Sequence, residues 1–384
     1  MTNQMAMNAP GHTRIPDIIR RMAEVSGIGF SGERPWDIKI NDHMFYDSVM
    51  RDGSLGLGET YMLGHWDCDR LDEFFTRVLR VDLDKQILSL TPFKSLMEYL
   101  RHKLTNLQSI SRSNQVALAH YDVGADVFRA MLDPTMSYSC GYWANARTLD
   151  EAQIAKLDLV CRKLELKAGD RLLDIGCGWG GLAAYAAERY GAQVTGVTVS
   201  REQYAYAQHR YAHLPVNFLL MDYRCLDGEF DKIASVGMFE HVGQKNYRHF
   251  LDKINALLEP DGLALLHTIG THESVRHTDT WIDRYIFPNG RIPTAREIMN
   301  VLSDDFIIED WHNFGQDYDR TLMIWSERFD AAWPGLSSKY DERFYRMWHY
   351  YLMSCAAFFR SRQGQLWQLV LSKRERSCGY RSVR

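Results

Sequence analysis

From about residue 165 to residue 268 the sequence alternates short apolar runs with amphipathic ones, and no other feature constrains the fold as tightly. Arg171–Ile175 reads as a strand. Residues 182–190 read as a helix stopped by Gly191, and residues 193–199 as a second strand. A helix over 200–213, strands at 216–221 and 231–236, a helix over 245–258 and a strand at 263–268 follow, the last helix ending at Pro260-Asp261-Gly262. Such alternation predicts an α/β fold: a parallel sheet with helices on both faces. Beyond it come an irregular stretch (270–293) and a helix from Thr294, where Thr294 and Glu297 spell a capping box. Helical patterns at 318–333 and 339–362 and a β-like run at 366–372 complete the chain. Ahead of the alternation, residues 16–108 read as short helices with turns, a smaller and mainly helical N-terminal domain. The expected division is 1–108, a linker at 109–117 and a main domain over 118–384, which suits the two to three domains that 384 residues suggest.

The strongest local signal is LLDIGCGWGG, residues 172–181. Asp174 closes the first strand, and Gly176, Gly178 and Gly180 turn the chain into a helix; glycines there let a ligand come close to the backbone. A dinucleotide loop is spaced G-x-G-x-x-G, whereas these glycines run G-x-G-x-G-G after an Asp. The pattern resembles the S-adenosylmethionine loop of class I methyltransferases. The chemistry agrees, since that molecule lacks a pyrophosphate and carries an ammonium and a sulfonium that Asp174 favours. A tight structural turn with an exposed Asp174 is the bland alternative. Strand two ends without the acid that usually bonds ribose hydroxyls, leaving Thr198, Ser200 and Gln203. Ser200 and Gln203 also spell an S-x-x-Q capping box, so a cofactor role and a capping role for Gln203 both stand. Asp222 and Tyr223 follow strand three, where an adenine amine is met; a surface turn is the alternative.

A net charge of −4 argues against nucleic acid as a partner. The seven cysteines are scattered, odd in number and without a CxxC pair, which fits a reducing cytoplasm better than a disulfide framework. Residues 1–11 have no apolar core of a signal peptide. The uncharged run at 350–359 is only ten residues, too short to span a bilayer. No metal site is expected. The 20 Tyr, 17 Phe and 10 Trp fill a large core or line a site for an apolar or cationic ligand.

The remaining motifs resemble one family over nearly the whole chain. They are HYDVGADVF (120–128), LDPTMSYSCGYW (132–143), SVGMFEHVG (235–243), LLHTIG (265–270), YIFPNG (285–290) and EDWHNFGQDYDRTL (309–322). With the glycine loop, they look like the cyclopropane-fatty-acyl-phospholipid synthases of bacteria. The resemblance implies that a cis alkene in a phospholipid acyl chain attacks the methyl of S-adenosylmethionine, and that a base then removes a proton so that the ring closes. It further implies that the base is a bound bicarbonate ion caged by Cys140, Glu240, His267, the backbone of Ile269, and Tyr318, with Tyr138 and Ser139 beside the cofactor. It also implies a part for Cys355. No base or positive helix end is evident there to make a thiolate, so on chemistry alone Cys355 reads as a core or channel thiol. Each of the others has an ordinary reading too: Cys140 as a small apolar residue, Glu240 as a helix cap, His267 as a core histidine and Tyr318 as core.

The implied substrate sits in a bilayer, so the expectation is a cytoplasmic protein, peripheral on the inner face of the membrane, and a homodimer by resemblance. The last twelve residues carry five basic groups and one acid, a net +4 that reads either as an anionic-membrane contact or as a frayed tail. Residues 69–80 have one apolar face, which suits either membrane insertion or an internal helix. Two rival functions stand: a lipid methyltransferase leaving a methyl branch, and a non-catalytic lipid-binding protein.

Overall fold

In a computed structural model, residues 15–81, 123–272, 278–302 and 305–384 are described. The linker expected at 109–117 lies outside them. The sheet has seven strands in the order β5-β4-β3-β6-β7-β9-β8. β3 (Arg171–Ile175), β4 (Gln193–Thr198), β5 (Val216–Leu220), β6 (Phe230–Val236) and β7 (Leu258–Thr271) pair in parallel. β9 (Gly364–Lys373) runs antiparallel to both β7 and β8 (Phe306–Asn313). The expected all-parallel sheet is therefore a mixed one. β8 is missed from sequence because its apolar start runs into Glu309 and Asp310, where the register shifts. That shift lets the buried Asp310 pair with Lys163 and Arg384. The turn expected at 260–262 does not begin β7; the strand starts at Leu258 and runs through it.

Helices cover the sheet as the alternation requires: α6 (Leu149–Lys163), α7 (Gly181–Tyr190), α8 (Arg201–Arg210) and α9 (Tyr247–Leu257). The stretch expected to be irregular holds the short α10 (Thr280–Tyr285), and α11 (Ala295–Val301) starts with the expected Thr294–Glu297 capping box. Two long helices, α12 (Gln316–Leu336) and α13 (Glu342–Arg360), pack together beyond the sheet.

The chain before the sheet forms α1 (Asp17–Ser26), α2 (Met44–Asp52), α3 (Ser54–Met62), α4 (Leu71–Arg80) and α5 (Ala125–Met131), with a small antiparallel pair, β1 (Lys39–Ile40) and β2 (Trp66–Asp67). The apolar face of α4 is not offered to a membrane. Leu71, Phe74 and Phe75 are buried in a core shared with α13, and Phe75 meets Tyr350 edge-on at 4.9 Å. Trp281 of α10 lies 4.3 Å from the same Tyr350 and against Gly58 of α3, where an added Cβ would fall 2.3 Å from the indole. Glycine is needed there for close approach. The basic C-terminus is not frayed either: Arg376 pairs with Glu165 and Arg384 with Asp310, at 2.7 and 2.6 Å. Among the described residues no helix is long and apolar enough to cross a membrane.

Candidate active site

The carboxyl ends of the parallel strands β3, β4, β6 and β7 lie along one edge of the sheet, the edge where α/β sheets take their ligands. Asp174, only 2% exposed, closes β3 and keeps Oδ2 without a hydrogen-bond partner. Burial pushes its carboxyl up to about 7, with Lys156 pulling the other way. The turn after it depends on left-handed backbone at Gly176, Gly178 and Gly180 (φ 80°, 55° and 89°), which glycine adopts without a Cβ penalty. A Cβ at Gly178 would meet open space, whereas one at Gly176 would strike Met238 at 2.8 Å. The loop thus leaves room for a ligand beside Gly178.

Past β4, the Thr198 hydroxyl donates to Gln203 Oε1 at 2.8 Å, and Ser200 Oγ accepts from the Gln203 amide. Ser200 is a real cap. The Gln203 side chain turns to Thr198 instead of closing the expected box. Asp222 accepts from the Arg224 backbone and guanidinium, and Tyr223 packs edge-on against Phe250.

The loop before α6 brings in Tyr138, Ser139 and Cys140. Asp133 holds it by accepting from the backbone N–H groups of Thr135 and Ser137. Gln153 and Lys156, one helical turn apart on α6, reach the same loop. Gln153 Nε2 donates to the Ser139 carbonyl at 2.8 Å, and Lys156 Nζ to Ser139 Oγ at 3.1 Å. Lys156 is buried, which lowers its ammonium to about 8, and it couples to Asp133, Cys140 and Asp174. Sequence reasoning missed both residues, whose burial shows only once α6 packs on this loop. Tyr138 shares a 2.7 Å hydrogen bond with Tyr351 and packs on Phe128 and Trp325.

Glu240 sits in a single 3₁₀ turn (Phe239–His241) just past β6. Its Oε1 accepts from the Ile269 N–H at 2.6 Å, while its Oε2 is buried with no partner. The Ile269 N–H is therefore spent on Glu240 and is not free for an anion. Burial pushes the Glu240 carboxyl up to about 7, against the pull of the backbone N–H groups of Ile269 and Glu240 and of the Thr268 hydroxyl. His267, near the end of β7, is 1% exposed. Its Nδ1 lies 3.2 Å from Gln368 Nε2, and its Nε2 has no partner. Burial, then the positive charge of Lys156, lowers its pKa to about 3, so the ring is neutral.

Cys140, Phe314 and Leu366 form a small buried cluster that Ile269 and Tyr318 pack against, and the His267 ring meets Phe314 edge-on at 5.8 Å. Cys140, Ile269 and Tyr318 thus come together, with His267 alongside. Burial raises the Cys140 thiol far above its ordinary range, and its Sγ donates to the Gly141 carbonyl. Tyr318 stacks on Phe359 at 4.5 Å. Cys355 lies on α13, half-buried, with its thiol pushed up to about 12 by burial, so it is no thiolate.

Residues 108–369 match a family model described as mycolic acid cyclopropane synthetase. The cyclopropane-fatty-acyl-phospholipid synthase of Escherichia coli (strain K12) is 51% identical over 356 residues, 93% of each chain. The chain belongs to the cyclopropane synthase family. Two solved members fit this fold at a TM-score of 0.64 each. The cyclopropane synthase MmaA2 from Mycobacterium tuberculosis is 33% identical, over 68% of this chain and 98% of its own. The mycolic acid cyclopropane synthase CmaA1, complexed with SAH and CTAB, is 34% identical over the same shares. As a cyclopropane synthase, the chain is an S-adenosylmethionine-dependent methyltransferase, and its mixed sheet is the class I methyltransferase fold.

Proposed function

We propose that this enzyme transfers a methylene group from S-adenosylmethionine to the cis double bond of a phospholipid acyl chain, closing a cyclopropane ring, with bicarbonate as the base. One observation carries the reading: two buried polar atoms, Glu240 Oε2 and His267 Nε2, lack partners, and both side chains touch the cluster around Cys140, Glu240 through the Ile269 N–H and His267 through Phe314. Buried polar atoms are rarely left alone, so a small polar guest fits there. Bicarbonate, when bound, supplies the proton acceptor.

The side chains suit both guests. Asp174, with a free Oδ2 and the open space at Gly178, fits the cationic end of the cofactor. S-adenosylmethionine, when bound, supplies an electrophilic methyl group. Lys156 and Gln153 hold the Ser139 loop against that region. Glu240, with its carboxyl raised to about 7, retains a proton through much of the neutral range and shares it with an anion oxygen instead of repelling it. Neutral His267 holds one N–H, and the Cys140 thiol stays uncharged. Tyr138, Tyr318, Trp325 and Phe359 exclude water, and ring faces favour a transient positive charge by about 0.5–2 kcal/mol each. Exposed Val25, Met44, Met50 and Leu63 on and beside the N-terminal helices support peripheral docking on a lipid surface.

Mass spectrometry of lipids from cells expressing the chain tests the product. Unsaturated acyl chains that gain one CH₂ and lose the double bond are expected; a methyl-branched chain sinks ring closure. Bicarbonate-depleted buffer is expected to slow the enzyme, and added bicarbonate to restore it. A full rate in depleted buffer, with Glu240→Gln inactive, makes Glu240 itself the base, a role its raised pKa also suits.

A further inference from the structure

β9 enters the sheet antiparallel, between β7 and β8, and the register sets Gln368 directly opposite His267 on one side and His312 on the other. Directly opposed residues share a sheet face. Gln368 is 0% exposed, as deep as any residue in the chain. Its Nε2 lies 3.2 Å from His267 Nδ1, and its Oε1 has no protein partner. A primary amide at this depth on a strand of leucines and valine is expensive to bury, and the contact with His267 is its visible return.

A neutral imidazole carries one proton, and whichever ring nitrogen is bonded decides what the other offers. If the amide NH₂ donates to Nδ1, the ring proton sits on Nε2, and Nε2 is the atom left without a partner. If the amide carbonyl accepted from Nδ1–H, the unpartnered Nε2 would present a lone pair instead. A lone pair there repels an anion, whereas an N–H binds it. The other charged and titratable groups coupled to this ring are Lys156, Lys163 and His312, and each of the three disfavours a second proton on it.

We propose that Gln368 is a positioning residue that fixes His267 in its Nε2–H tautomer, so that the ring meets the guest beside Glu240 only as a hydrogen-bond donor. The benefit of a donor there rests on the bicarbonate reading; the tautomer itself does not.

The test is nitrogen NMR of full-length protein labelled with ¹⁵N-histidine, the His267 signals being assigned by their loss in His267→Asn. A protonated Nε2 and an unprotonated Nδ1 are expected in the wild type. In Gln368→Glu the new carboxylate accepts from Nδ1–H, so the pattern should reverse and the rate fall by about 10–100-fold, the scale known for losing the outer hydrogen-bond partner of a metal-bound histidine. Should Gln368→Glu fail to fold, the apolar and similarly sized Gln368→Met is expected to show both tautomers. A wild-type His267 protonated on Nδ1, or a pattern that neither variant changes, overturns the proposal. The bicarbonate reading is judged separately, by the rate of wild-type enzyme in depleted buffer. A reversed tautomer with no bicarbonate dependence keeps Gln368 in its role and removes the anion.

Discussion

Glu240 and Asp174 show what burial does to a carboxyl group that forms no ion pair; for Asp174 the more distant Lys156 only partly offsets it. Their pKa values rise from 4.5 and 3.8 to about 7 each. In the window between, the folded protein holds protons that the unfolded chain has released. Stability from these two groups is therefore highest at low pH and is lost as pH rises towards about 7. His267 acts oppositely: lowered from 6.5 to about 3, it stays neutral while the unfolded chain takes up a proton, so its contribution is lost as pH falls below 6.5. Glu240→Gln removes the first effect and keeps an oxygen for the Ile269 N–H. Urea unfolding at pH 5 and pH 7.5 should show the variant gaining on the wild type at the higher pH, by about 1.4 kcal/mol for each pH unit between pH 5 and the folded pKa of about 7. The same difference at both pH values would mean that Glu240 is not held neutral. Resemblance had already drawn these residues together. What it did not carry was the use of the Ile269 N–H on Glu240, because a hydrogen bond between a 3₁₀ turn and a distant strand has no sequence signature.

At the scale of elements, an arginine near the end of α13 ties that helix to α12 and to the N-terminal α4. Arg360 pairs with Asp319 of α12 and with Asp72 and Glu73 of α4. Asp72 is buried and held at a pKa of about 2: burial alone would raise it, but Arg70 and Arg360 more than offset that. Arg360→Met keeps much of the packing but leaves Asp72 with Arg70 alone. A loss of about 2–3 kcal/mol is expected, less than for a wholly unpaired buried charge. Thermal and urea unfolding check it, and a change below 0.5 kcal/mol, the range of an ordinary surface site, would show that the clamp does not matter. The amphipathic pattern of α4 was legible in the sequence. Whether that face meets lipid or protein was not, since both present the same apolar surface to a helix; Leu71, Phe74 and Phe75 meet protein.

Over the whole molecule, one aromatic core joins the N-terminal helices to α10, α12 and α13. Arg346 of α13 reaches across to the Trp66 carbonyl and Asp67, and Glu59 of α3 accepts from the Tyr285 hydroxyl at 2.8 Å. The solved mycolic acid relatives cover only 68% of this chain, so the fold closes elsewhere without a region of this length. Here Trp281, Tyr350 and the α13 face are apolar because α3 and α4 cover them. Removing residues 1–81 should uncover that face: a dye that reports apolar surface should bind, and the shortened chain should melt earlier or aggregate. A monodisperse fragment with the full-length melting point would show that the N-terminal helices are an independent attachment.

The sequence by itself determined the α/β alternation, the glycine turn after Asp174 and the family, because periodicity, positive-φ glycines and contiguous motifs are local properties of a chain. It also named Glu240, His267, Cys140 and Tyr318, through motifs. Only the tertiary structure decided the antiparallel insertion of β9, which depends on pairing over about a hundred residues and sets Gln368 against His267. The same holds for Lys156 and Gln153, whose roles exist only where α6 packs on the Ser139 loop. The basic tail and the α4 face likewise took their meaning from partners far away in the chain. Apolar and charged surfaces carry no record of what will cover them until the fold brings the partner in.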